Sequence, residues 1–164
     1  MELDLPRPPR ALVLVTQALL GVLFLVGIGA IALLPAFSAE VAETVPEYAD
    51  LRVPLLALSI AFTLLGLIAV VLVGLLVHRI YRGIILTPTS VLWVDVLVTM
   101  FICAVILIVT AFFAISDGQA GSPFLALILV IACLGFIATS CITLVLRSLL
   151  KSAIAMRSEL DEVV

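Results

Sequence analysis

Four apolar runs divide the chain: residues 11–34, 53–77, 91–115 and 124–146, with a single charge, Asp95, inside the third. A helix needs about 20 apolar residues to cross a hydrocarbon core about 30 Å thick. Each run meets that length. In lipid a helix satisfies its own backbone hydrogen bonds without help from water. The pattern predicts an all-α fold, an integral membrane four-helix bundle with short links.

The polar punctuation refines this outline. Residues 1–10 hold Pro6, Pro8 and Pro9 and read as extended, since proline disfavours helix at the residue before it. The first run has the small-residue stretch Ala36-Phe37-Ser38-Ala39 behind it, as a signal peptide would. It is longer than the roughly 7–15 residues of a signal-peptide core, so it reads as a retained span. Residues 35–52 form an acidic link, with Glu40, Glu43, Glu47 and Asp50 against Arg52. Pro35 and Pro46 are expected to interrupt any long helix there, leaving a short interfacial turn or two over Ala39 to Val45. Asp50 stands where it can cap the second helix, and Pro54 falls early in it, where a missing N–H costs little.

The second helix is expected to continue to Arg82 and to stop at Gly83. Thr87-Pro88 and Ser122-Pro123 each read as an N-cap followed by proline at the first helical position. Between them, Ser116 to Ser122 reads as a tight turn. Beyond residue 146 neither glycine nor proline stops the last helix. Over 147–164, Leu149, Ala153, Met156, Leu160 and Val163 recur at alternating spacings of four and three, an apolar stripe on a charged extension. Such a stripe can pack on its own bundle, lie on the membrane surface or pair with another helix.

Composition points the same way. The chain is 65% hydrophobic and 12% charged, where soluble domains run about 45–50% and about 25%. A core of this length cannot hide so much apolar surface from water, so lipid is the main solvent. The net charge of −3 rules out no partner, but its distribution is one-sided. With four spans, Arg7, Arg10, Arg79, Arg82, Arg147, Lys151 and Arg157 fall on one side and Arg52 on the other. The positive-inside rule then puts both termini in the cytoplasm, N-in and C-in, with residues 147–164 as a cytoplasmic extension of the last helix.

Candidate chemistry is sparse. Asp95 comes about one turn into the third run. A carboxylate at mid-bilayer costs about 2.5–3.5 kcal/mol and less towards the interface. Arg10, Arg79, Arg82 and Arg147 are basic partners at suitable depth. The plain reading of Asp95 is a structural ion pair; the functional one is a ligand-contacting or proton-sensitive group, because intramembrane ionisable residues are often functional. His78 reads as a solvated interfacial residue rather than a metal ligand, since no further ligands converge on it. Trp93, Tyr81 and Tyr48 mark interfaces. Cys103, Cys133 and Cys141 show no CxxC spacing and read as small buried apolar residues. Small residues, among them Ala57, Ala61, Gly135 and Thr139, permit close helix approach. No nucleotide, zincin or nucleophile-elbow motif appears, so neither a cofactor nor an enzymatic constellation is expected.

Arg52-Val53-Pro54-Leu55-Leu56-Ala57-Leu58, Trp93-Val94-Asp95-Val96 and the ending Leu160-Asp161-Glu162-Val163-Val164 resemble the DUF2975 type of four-span bacterial membrane proteins of unknown function, in an actinobacterial-looking form. The resemblance covers residues 10–164. Leu86-Thr87 stands where members commonly carry Phe-Ser or Phe-Thr, and Leu92 where they carry Arg before the Trp. Such proteins are often encoded beside a small Cro/CI-type helix-turn-helix regulator. The resemblance therefore implies a membrane module that senses a signal or tethers a regulator, and it brings no catalytic residues.

These readings combine into one expectation: a non-enzymatic membrane interaction or sensor protein, embedded in the lipid bilayer and acting with a cytoplasmic regulator. It makes no direct nucleic-acid contact. Arg79, Arg82, Leu149, Ala153, Met156 and Leu160 are the candidate cytoplasmic interaction residues, with Asp95 as the candidate intramembrane site. The alternatives are an accessory subunit of a larger membrane complex and a homo-oligomeric transporter or channel, which needs polar groups along a path.

Overall fold

A computed structural model describes residues 10–81, 88–118 and 121–162, with the side chains of residues 10, 80–81, 88–90, 153 and 157–162 outside that description. Four long helices account for nearly all of it: α1 (Arg10–Thr44), α2 (Arg52–Tyr81), α3 (Pro88–Asp117) and α4 (Pro123–Glu162). All four are long and apolar enough to cross a membrane. This is an all-α, multi-pass membrane protein.

Sequence signals account for most of the helix boundaries. Pro46 ends α1 by forcing Val45 into an extended conformation, φ −129° and ψ 92°. A single 3-10 turn, Pro46–Tyr48, follows. At the start of α4 the Ser122 hydroxyl accepts the Leu125 N–H at 3.2 Å, so the cap-proline reading holds there. The equivalent cap at Thr87, and the expected stop over Arg82 and Gly83, lie outside the described residues. Asp50 does not cap α2. The first backbone bond of that helix runs from Leu55 N–H to the Leu51 carbonyl at 3.0 Å, which puts Leu51 in the cap position.

Pro35 does not interrupt α1, contrary to the expectation from its ring; the helix runs through it to Thr44. Proline removes only one backbone bond, and membrane helices tolerate this when neighbouring helices support the segment. Here α1 packs on α2, with Gly27 close to Leu67 before the proline and Ser38 reached by Arg52 after it, so contacts on both sides of the proline hold it in line.

Helices pack in chain order, α1 on α2, α2 on α3 and α3 on α4. Gly27 lets α1 approach closely, since a Cβ there would meet Leu67 Cδ2 at 2.6 Å. Phe136 of α4 reaches across to two helices. Its ring stands edge-on to Phe62 of α2 at 5.7 Å and tilted against Phe101 of α3 at 6.2 Å, geometries worth about 0.5–1.5 kcal/mol each beyond area burial. The most buried side chains are Leu72, Val98, Ala104, Ile108, Ile115 and Ser140. Four of these six lie on α3, the central helix. Cys103 and Cys141 are exposed rather than buried, because they fall on faces that no other helix covers.

Candidate functional site

Asp95 sits in the second turn of α3. Because α4 runs antiparallel to α3, that turn lies opposite the later part of α4, where Arg147 stands. The guanidinium grips the carboxylate with two nitrogens. Nη2 donates to Asp95 Oδ2 at 2.7 Å, and Nε lies against Oδ1. The two groups are thus joined by one charge-assisted hydrogen bond and a second close ion contact. The side chains are 32% (Arg147) and 42% (Asp95) exposed, so the pair is neither sealed in the core nor fully open. Thr99 bonds back to the Asp95 carbonyl at 2.9 Å and leaves the carboxylate to Arg147.

Arg79, a second basic candidate, is taken by another residue. Its guanidinium carbon lies 5.6 Å from the Trp93 ring centroid, a cation–π contact worth about 0.5–2 kcal/mol. Trp93 and Asp95 are two positions apart, about 200° around a helix. They therefore point to opposite sides of α3, one towards the end of α2 and the other towards α4. The first turns of α3 are held from both flanks by cations. Of the remaining basic candidates, Arg82 and the side chain of Arg10 lie outside the described residues.

The candidate interaction residues on α4 divide by face. Leu149 and Met156 are 62% and 60% exposed. They lie two and nine positions beyond Arg147, roughly opposite it on the helix. The stripe therefore points away from α3. Leu150 and Ile154, nearer the Arg147 face, are half-buried. The side chains of Ala153 and Leu160, and the whole of Val163, lie outside the described residues. His78, in the last turn of α2, is exposed.

Five threonine hydroxyls in the spans are satisfied locally, whereas the Trp93 indole nitrogen is buried without a hydrogen-bond partner among the described residues. Thr16, Thr63, Thr110, Thr139 and Thr143 each donate to the carbonyl four residues earlier at 2.8 Å. These hydroxyls serve their own helices rather than lining a path. Among the described residues, no three His, Cys, Asp or Glu side chains converge to hold a metal.

The family model described as "Protein of unknown function (DUF2975)" matches residues 36–164, well over half the chain. The chain belongs to the DUF2975 family. The match takes in α2, α3 and α4, with both members of the Asp95–Arg147 pair, and only the final part of α1. Neither a curated protein nor a solved structure matches the chain.

Two features of the site escaped sequence reasoning. The Arg79–Trp93 stack joins residues 14 positions apart, and no local pattern announces it. The groove between α1 and α2 that holds Arg52 depends on the unbroken passage of α1 through Pro35, which the sequence argued against.

Proposed function

We propose that this DUF2975 member is a non-enzymatic membrane interaction protein that links an event in the bilayer to a cytoplasmic partner, with both termini and the α2–α3 link on the cytoplasmic side. The observation that carries the reading is the Asp95–Arg147 ion pair at the base of the α4 extension. It couples the start of α3 to α4 at the point where α4 leaves the apolar span. Past that point α4 presents Leu149 and Met156 uncovered by the described residues. Exposed apolar side chains on a charged helix are the usual means of docking a partner helix or groove. The one-sided placement of Arg79, Arg147 and Lys151 supports the orientation. The absence of any acid, base or nucleophile cluster at one depth in the sequence supports a non-enzymatic role.

The test is a pull-down from native membranes in mild detergent, comparing the full chain with a form lacking residues 152–164. The reading expects a soluble partner that disappears with the tail while membrane insertion is unchanged. A soluble partner that stays bound to the truncated form overturns it.

A second reading, an accessory subunit of a membrane complex, draws support from α1. Gln17 is the seventh residue of an uncharged run, yet it is exposed and makes no side-chain hydrogen bond among the described residues. One turn further along the same face, Gly21 has open space where a Cβ would sit. An amide facing lipid beside a small residue is the pattern of a helix–helix contact within the membrane. This reading expects membrane-embedded partners that survive tail deletion and are lost on Gln17→Leu.

A further inference from the structure

The end of the molecule away from Asp95 holds a cation that no carboxylate of the described residues neutralises. Arg52 lies on the same link as Glu40, Glu43, Glu47 and Asp50, all of them exposed. No carboxylate of the described residues comes within ion-pair distance of it; the Asp95–Arg147 contact is the one salt bridge found among them. The guanidinium instead turns into a groove of about 150 Å³ between the end of α1 and the start of α2. There its Nε reaches the Ser38 hydroxyl at 3.5 Å. Ser38 in turn donates to the Pro35 carbonyl at 2.9 Å.

Arg52, Tyr48 and Ser38 are polar lining residues near the link, Leu34, Phe37, Val41, Leu55 and Leu56 supply apolar walls, and Ser59 adds a hydroxyl one turn beyond Leu55. A charge beside apolar walls, at the edge of two membrane-spanning helices, matches an amphiphile with an anionic group and a hydrocarbon tail. Four exposed carboxylates stand within two positions of lining residues along the chain, Glu40 and Glu43 by Val41, Glu47 by Tyr48 and Asp50 by Arg52, and they add a second requirement. They repel a headgroup of net negative charge and attract an ammonium.

We propose that this groove binds a zwitterionic phospholipid of the ethanolamine type. Its phosphate accepts hydrogen bonds from the Arg52 guanidinium and the Tyr48 hydroxyl. Its ammonium faces the acidic link, and the upper part of one acyl chain lies along Leu34, Phe37, Leu55 and Leu56. The site is independent of the Asp95–Arg147 pair, which lies at the other end of the helices, so it stands or falls apart from the tethering role.

Native mass spectrometry of the full chain in mild detergent tests the proposal, with dioleoyl phosphatidylethanolamine, dioleoyl phosphatidylglycerol and inorganic phosphate added in turn. The ethanolamine lipid should be retained over the glycerol lipid. Arg52→Gln should weaken its retention by about tenfold or more, as expected for loss of charge-assisted hydrogen bonds. Lys151→Gln, at the opposite end, should leave retention unchanged. Replacing Glu40, Glu43, Glu47 and Asp50 together with their amides should shift the preference towards the glycerol lipid. Should Arg52→Gln fail to fold, Leu56→Trp decides, because it fills the groove and spares the cation; loss of the lipid supports the site. Equal retention in wild type and either groove variant overturns the proposal. So does a preference of the wild type for the glycerol lipid, or displacement of bound lipid by inorganic phosphate at equal concentration.

Discussion

Helices α1 and α3 make the most instructive pair in the molecule. Both are long and apolar, 35 and 30 residues, and α3 is only modestly the more apolar of the two. Yet α3 carries Val98, Ala104, Ile108 and Ile115 at 9% exposure or less, while Leu14, Leu19 and Leu25 of α1 stand 66–69% exposed. Lipid tails are as apolar as leucine, so apolarity gives no reason for one helix to be inside. Shape and polar anchoring decide. Ala104 is small enough to admit close neighbours, and Trp93 and Asp95 tie α3 to Arg79 and Arg147 on its two flanks. α1 has its partner on one side only, through Gly27 against Leu67.

The same kind of substitution should therefore have different consequences in the two helices. Ala104→Phe forces a large ring into the tightest position of α3 and should cost about 1–3 kcal/mol, as overpacking generally does. Leu25→Phe in α1 should stay within about 0.5 kcal/mol, in the range of surface changes. Thermal unfolding in detergent measures both. Similar losses at the two sites would mean that α1 is covered as well as α3, by a partner or by a second copy.

A smaller effect is expected at the ion pair. Asp95→Asn leaves Arg147 facing a neutral acceptor and should destabilise by about 1–2 kcal/mol. That figure is set below the usual loss for a buried pair because both side chains keep about a third or more of their surface exposed. The double variant Asp95→Asn with Arg147→Gln should recover part of the loss. A double variant as unstable as the sum of the two single ones would show that the two residues are not energetically coupled.

The smallest effect separates two glycines of a single helix. Gly21→Ala adds a methyl group in open space and should be neutral or stabilising by up to about 1 kcal/mol, since glycine is a poor helix former. Gly27→Ala pushes against Leu67 and should give no such gain. If Gly21→Ala instead lowers stability in native membranes but not in detergent, a membrane partner on that face becomes the explanation.

Much of the fold was legible in the sequence. Four runs of sufficient length, the Ser122-Pro123 cap and the unbroken course of α4 past residue 146 are consequences of local composition. Arg147 was one of four cations at the right depth for Asp95, but depth is a one-dimensional coordinate. Choosing among the four requires knowing which helix flanks which face of α3. Likewise the stripe at Leu149 and Met156 was visible as a period, although its exposure was not.

The sequence alone determined the solvent, the number of spans and most of their ends, because lipid burial and backbone satisfaction depend on runs of residues within one segment. It misjudged Pro35, since the support that carries α1 through the proline comes from α2. Tertiary structure alone decided that α3 is central, that Asp95 belongs to Arg147 and Trp93 to Arg79, and that Arg52 turns into a groove and away from its acidic neighbours. Each of these depends on side chains far apart in the chain, and in a medium where every apolar face is equally soluble, only shape and a few charges select the arrangement.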